Sequence, residues 1–361
     1  MYSDFNLLLY HQKNKSMTNM TTQFQLSALS RRLYQFLVVI LPLSMMSCHA
    51  QTNNKMKDTL NPLLCDPAEG ICEIPDSSTT TNIDTIATIK TIKLVYFTDP
   101  ICSSCWGIEP QLRKLKLEYG QHIEIEYRMG GLLPDWTYNN GGISKPSDVA
   151  HHWDEVSLYY DMPIDGDVWL QDPLSSSYPP SIAFKAAQLQ SEEKAVLFMR
   201  AIREMVFLKK KNIAKWEHLE QAAISVGLNA QQFKTDYEGR AKALFEADLQ
   251  LSRQYGVRGF PTIFVMDSTG KREIVYGSKP YSAYEQAILK LDNKLSKTVY
   301  ASDWKTLFTK YKSLTAREFS ELSNMPRTEV EAYLKQLTAQ KHLRQLDTKN
   351  GSIWFLESAG K

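Results

Sequence analysis

Apolar and polar positions along this chain change period in a definite order. "IKLVYFTD" (92–99) is an unbroken β-favouring run, the pattern of a strand buried on both faces. Beyond "PICSSC", Ile108, Leu112, Leu115 and Tyr119 recur at helical spacing, and Gly120 supplies a stop. "IEIEYRM" (123–129) then alternates as a second strand. Strand, helix and strand over about forty residues predict a βαβ unit with parallel strands.

A polar section with glycine and proline follows, "GGLLPDWTYNNGGISKPSD". Residues 180–255 carry helical spacing through "SIAFKAAQLQ", "EEKAVLFMRAIREMVFLKK", "WEHLEQAAISVG" and "AQQFKTDYEGRAKALFEADLQLSRQYG". The strand pattern resumes in "PTIFVMD" (261–267), turns at Ser268–Gly270, and returns in "KREIVYG" (271–277). These two runs predict a hairpin, and "YSAYEQAILKLDNKL" a closing helix. A sheet interrupted by a large helical insertion is the expected order. The last sixty or so residues differ. They give a helix, a turn, a second helix and two short strands joined by Asn350–Gly351, a hairpin signal. Thr315 with Glu318, and Thr328 with Glu331, have the spacing of capping boxes. The outline is that of a winged helix.

The N-terminal fifty residues have the parts of an export signal. A basic flank, "SRR" at 30–32, precedes a short apolar core and the small residue Ser47. The core is shorter than the ~20 residues of a transmembrane helix and contains Pro42. "LSMMSC" resembles a bacterial lipoprotein box with Cys48 as the lipidated residue; cleavage after Ala50 is the alternative. Removing residues 1–47 takes Lys13, Lys15, Arg31, Arg32 and Asp4 with it, so the net charge falls from +2 to −1. Such a chain has no excess of positive charge to hold nucleic acid. The second helix of the C-terminal outline mixes Arg327, Lys335 and Lys341 with Glu329 and Glu331, a poor phosphate-binding surface that points to protein contact. Residues 51–90 are rich in Thr, Asn, Asp and Ser and form a linker.

With Cys48 set aside, four cysteines remain, an even number that suits disulfide chemistry in an oxidising compartment. Cys65 and Cys72 flank a Pro/Gly turn in the linker. They can close a local structural disulfide or relay electrons as an auxiliary pair. Cys102 and Cys105 stand where a buried strand gives way to a helix, the redox context of C-x-x-C. A helix N-terminus favours negative charge on the first sulfur and can bring a thiol pKa from ~8.5 into the range ~3.5–7.5. Two intervening residues let the second thiol expel a bound partner as an internal disulfide. Cys102 is expected to be the exposed attacker and Cys105 the more buried resolver. A structural crosslink and half of a zinc site are the competing readings, though the spacing of Cys65 and Cys72 is unlike a zinc knuckle. Pro110 should kink the helix by removing an amide.

"CSSCWGIEP" following "LVYFTDPI" resembles the active site of thioredoxin-fold proteins, kinking proline included. The helical insertion and the later "GVRGFPTIFV" resemble the DsbA-like thiol–disulfide oxidoreductases. The resemblance implies a thioredoxin-like α/β fold over 91–298 with a helical insertion at about 140–255; the winged-helix-like outline read from the residue pattern follows at 299–361. It implies a cis-proline at Pro261 facing Cys102 and Cys105, with Phe260 and Thr262 beside it contacting substrate and Trp106 next to the motif. It implies no cofactor, no metal, and partners that are proteins with cysteines or disulfides. "DPICxxCW…EP" also resembles the cytoplasmic branch of this family that serves as adaptors for Clp proteases. The leading expectation is therefore an exported, lipid-anchored enzyme that exchanges disulfides with proteins; the alternative is a non-enzymatic protein-binding adaptor. Two smaller readings accompany it. The "HHWDE" cluster at 151–155 is expected at the surface, and Trp136, Trp153, Trp169 and Tyr178 are candidates, with Trp106, for a groove near the thiols.

Overall fold

The computed structural model describes residues 90–137 and 144–357, all within one compact unit. The centre is β1 (Ile92–Thr98), buried at every position but Lys93, as its unbroken apolar run requires. Its helix pair, α1 (Ser103–Gly107) and α2 (Glu109–Tyr119), carries the chain over to β2 (Ile123–Met129), which runs parallel to β1 with Leu94 opposite Ile125. The split between α1 and α2 falls at Ile108, two residues before Pro110, whose ring leaves no amide to continue the ladder.

The insertion then supplies α3 (Pro146–Tyr160), α4 (Val168–Gln171), α5 (Tyr178–Gln190), α6 (Glu192–Leu208), α7 (Trp216–Ser225), α8 (Ala230–Glu238) and α9 (Arg240–Gln254). Two of these differ from expectation. The polar stretch after residue 144 is a full helix, α3, whose buried stripe is only Val149, Ala150, Trp153 and Ser157, too narrow to stand out among its charges. What looked like one continuous helical run over 230–255 is two helices, broken at Gly239. Phe184, Phe198, Phe207 and Phe233 are fully buried in the helical core.

The chain returns as β3 (Thr262–Asp267) and β4 (Arg272–Tyr276), antiparallel, giving the sheet order β2-β1-β3-β4. β3 lies antiparallel to β1 with Phe97 opposite Thr262. Helix α10 (Tyr281–Leu291) packs with α2 against one face, through Tyr284 and Ile288 on one side and Leu112 and Leu115 on the other. A four-stranded sheet with a parallel crossover, an antiparallel hairpin and a helical insertion between them is a thioredoxin-like fold.

The C-terminal part is α11 (Trp304–Tyr311), β5 (Ser313–Thr315), α12 (Ala316–Ser323), α13 (Arg327–Ala339), β6 (Leu343–Thr348) and β7 (Gly351–Leu356). Its sheet order, β5-β7-β6, closes a winged helix. Helix α11 and the three-residue β5 add to the two helices and two strands expected. The Asn350–Gly351 turn needs φ of 135° at Gly351, open only to glycine. This module packs its α12 against α2: Arg113 donates to the Ser313 carbonyl at 3.0 Å and Lys114 pairs with Glu321 at 3.3 Å. Among the described residues, no helix is long and apolar enough to cross a membrane.

One of the two capping boxes is present. The Thr315 hydroxyl accepts from the Glu318 amide at 3.2 Å, and the Glu318 carboxylate accepts from the Thr315 amide at 2.8 Å. The Thr328–Glu331 box is not formed, because α13 begins at Arg327 with Pro326 as its N-cap, two residues ahead of that box, and places Thr328 inside the helix. Glu331 instead pairs with Arg327 at 3.0 Å. Thr315→Ala should therefore cost ~1–2 kcal/mol in urea denaturation and Thr328→Ala less than about 0.5 kcal/mol. Equal losses from the two would show that the first box carries no stability.

Candidate active site and partner groove

The β1–β3 pairing brings two distant segments to one end of the sheet. After Thr98, the chain turns through Asp99, whose carbonyl accepts the Cys102 amide at 3.2 Å. Cys102 caps α1: its sulfur accepts the Cys105 amide at 3.1 Å, a contact that favours negative charge on that sulfur. Cys102 and Cys105 are joined as a disulfide with Cα atoms 5.1 Å apart. Cys105 is fully buried, and Cys102 retains only 4% exposure. The expected exposed attacker is thus an inset one, reached from the floor of a groove.

On the β3 side, the Phe260–Pro261 peptide is cis. The loop is held from within: the Thr262 hydroxyl donates to the Gly259 carbonyl at 2.7 Å, and the Pro261 carbonyl accepts from Gly277 at 2.9 Å. A groove of about 810 Å³ is lined by Cys102, Ser103 and Ser104 and by Phe260. Its lining also includes Trp136, Trp153, Trp169 and Tyr178, with Arg253 and Arg258 contributing positive charge. Gly130 is what lets Phe260 lie here, since a Cβ at that position would come 1.9 Å from the ring.

Two residues expected in this groove are elsewhere. Trp106 is fully buried; its indole donates to the Pro163 carbonyl at 3.1 Å and stacks on Phe207, because α1 turns that side toward the insertion's core. Thr262 is buried and its hydroxyl donates to the Gly259 carbonyl, so it holds the loop from within. His151 and His152 are exposed, with His151 3.1 Å from Glu155, while Trp153 between the same polar neighbours is buried. The Cys65–Cys72 pair, the Cys48 lipidation site and the export signal lie outside the described residues.

The sequence reading missed the polar residues beneath the motif. Asp99 is fully buried. One of its oxygens accepts the Ile101 amide at 3.0 Å, and the other accepts the Leu132 amide at 2.7 Å and the Ser177 hydroxyl at 2.8 Å. Burial pushes its pKa up from 3.8 to about 6, against the pull of those donors and of Arg203. Arg203, fully buried on α6, donates to the Thr98 hydroxyl at 2.7 Å and the Asp99 carbonyl at 3.2 Å. The available signal was an acid placed directly after a wholly apolar strand. Ser104 in turn shares a 2.7 Å hydrogen bond with Tyr160 of α3.

Chemically, this arrangement can accept two electrons. A thiolate arriving along the groove would bond to one sulfur of the disulfide and release the other as a thiolate. In the opposite direction, a reduced Cys102 could open a partner's disulfide and Cys105 could resolve the mixed species.

Comparison with known proteins gives the same outline. The family model described as thioredoxin matches residues 96–286. The ClpXP adapter protein SpxH of Halalkalibacterium halodurans is 34% identical over 301 residues, covering 81% of this chain and 97% of its own length. The protein of the same name from Bacillus subtilis is 27% identical over 271 residues, covering 73% and 89%. Among solved structures, the cytosolic disulfide reductase DsbM of Pseudomonas aeruginosa is 21% identical with a TM-score of 0.45, covering 55% of this chain and 98% of that one. Reduced DsbA1 of Neisseria meningitidis is 12% identical with a TM-score of 0.36, covering 55% and 82%.

Asp99 should leave a signature in the pH dependence of stability. A raised folded pKa means that its contribution is present below pH 3.8 and is lost as pH rises through about 6. The stability gap between the wild type and Asp99→Asn should therefore be larger at pH 4.0 than at pH 7.5, by on the order of 2 kcal/mol in urea denaturation. A gap independent of pH would show that the carboxyl titrates as it does in water.

Proposed function

The chain belongs to the thioredoxin family, on the branch that includes the ClpXP adapter protein SpxH, and from that kinship we propose that it binds proteins as an adaptor through the groove beside Cys102. The observation that carries the reading is the 34% identity over 97% of an adapter's length, well beyond the thioredoxin region at 96–286. The groove suits the task. Phe260 and the aromatic walls offer rigid apolar area, Arg253 and Arg258 offer charge, and the bent loop before Pro261 presents backbone to an extended chain. In this reading, Cys102 of the disulfide forms part of the groove floor.

A second reading has its own support. The disulfide at the mouth of α1, whose Cys102 lines the groove, suits exchange with protein thiols, and the leader at 1–50, with Cys48 after an apolar core, suits an exported lipid-anchored chain. The two readings part at the membrane, because an adaptor must share a compartment with its protease.

The adaptor reading expects proteins that co-purify with the chain to be longer-lived in cells lacking it. Phe260→Ala should weaken their capture about tenfold, the scale of a buried aromatic anchor, and Cys102→Ser with Cys105→Ser should leave capture largely intact. Client lifetimes unchanged by deletion would remove this reading. If Cys105→Ala accumulates mixed disulfides on non-reducing gels and the chain fractionates with the envelope, the oxidoreductase reading takes its place.

A further inference from the structure

Behind the cysteines lies a cluster that neither function accounts for. Glu318, at the start of α12 in the C-terminal module, is fully buried. It accepts two bonds from the Arg200 guanidinium at 2.7 and 3.0 Å, and Arg113 lies 3.2 Å from it. Burial opposes its ionisation, but Arg113 and Arg200 together hold its pKa below the usual value, so it carries a charge. Arg200 is placed over the Trp106 ring, 4.4 Å from its centroid, and Trp106 directly follows Cys105. Arg113 belongs to α2, which continues the cysteine-bearing helix past Ile108. Glu109, at the start of α2, takes Arg203, which also holds Thr98 and the Asp99 carbonyl. A single carboxylate some two hundred residues away in the sequence therefore anchors the back of the active-site helix.

We propose that Glu318 is a positioning residue for the Cys102–Cys105 couple, through which the C-terminal module sets how readily the disulfide is reduced. The inference rests on the dithiol chemistry of the second reading above and is indifferent to which partners the chain serves. Three guanidiniums, on Arg113, Arg200 and Arg203, face three carboxylates, on Glu109, Glu204 and Glu318, with the more exposed Lys209 3.7 Å from Glu204 at the edge. Removing the charge of Glu318 leaves a buried positive excess behind α1, which favours a thiolate at its tip and so favours the reduced pair. Removing the charge of Arg200 makes the cluster less positive and so shifts the balance toward the disulfide. Because linkage is reciprocal, opening the disulfide would in turn alter the hold on the module.

The test is the equilibrium of the purified full chain with glutathione. Two glutathione thiols give two electrons and two protons to the pair, yielding the dithiol and one glutathione disulfide. Glu318→Gln, which keeps the shape of the side chain, should move the equilibrium at least threefold toward the dithiol, ~15 mV for a two-electron couple. Arg200→Met should move it in the opposite direction. Leu334→Ala, which opens a void in the module's core without touching either arginine, should lower Tm and leave the equilibrium where it was. Charge variants that stay within 1.5-fold of the wild type, or that shift in the same direction as each other, would overturn the proposal, as would a shift in Leu334→Ala as large as that in Glu318→Gln. A pair that glutathione cannot open at all would overturn the dithiol reading along with it; a pair that opens equally in every variant overturns the proposal alone.

Discussion

The antiparallel register of β1 against β3 is the constraint from which the site follows. Phe97 lies opposite Thr262, so the last turn before Cys102 and the loop ending at Pro261 emerge at the same edge of the sheet. The two segments lie far apart in the chain, with α1, α2, β2 and the whole helical insertion between them. A shift of β3 by one residue would send Ile263, fully buried opposite Tyr96, to the other face of the sheet. The cis-proline loop, the inset sulfur and the aromatic groove are consequences of that pairing.

Much of this was legible along the chain, because it is local. The unbroken apolar run of β1, the cysteines opening a helix, Pro110 ending its first turn and the Asn350–Gly351 turn each depend on neighbouring residues only. What was not legible depends on partners far away. Trp106 sits beside the motif in sequence, but the helix turns it toward Phe207 and Pro163. Asp99 looks like a loop residue until Leu132 and Ser177 close over it. Thr328 has the spacing of a cap, yet Pro326 fixes the start of the helix ahead of it. Helix α3 hides because a four-residue buried stripe is diluted by histidines and acids on its exposed face.

Burial also explains why the charged residues matter here. Asp99, Arg203 and Glu318 lie in the protein's interior, with Arg200 part-buried beside them, where an unpaired charge is far more costly than at the surface. Arg200 is paired with Glu318 and Arg203 with Glu109, while the Asp99 carboxylate takes two backbone amides and the Ser177 hydroxyl. The winged-helix outline therefore contributes a buried contact to the thioredoxin-like half. Its second helix mixes acids, Glu329 and Glu331, with its basic residues.

The account stands on a partner chain lying in the groove between Cys102 and the Pro261 loop. A photo-reactive phenylalanine analogue placed at Phe260, compared with one at Ile224, which is 59% exposed on the insertion, measures that occupancy in living cells. Discrete protein adducts at 260, at least several-fold above those at 224, are the expected result. Equal labelling at both positions would mean that the groove holds no partner.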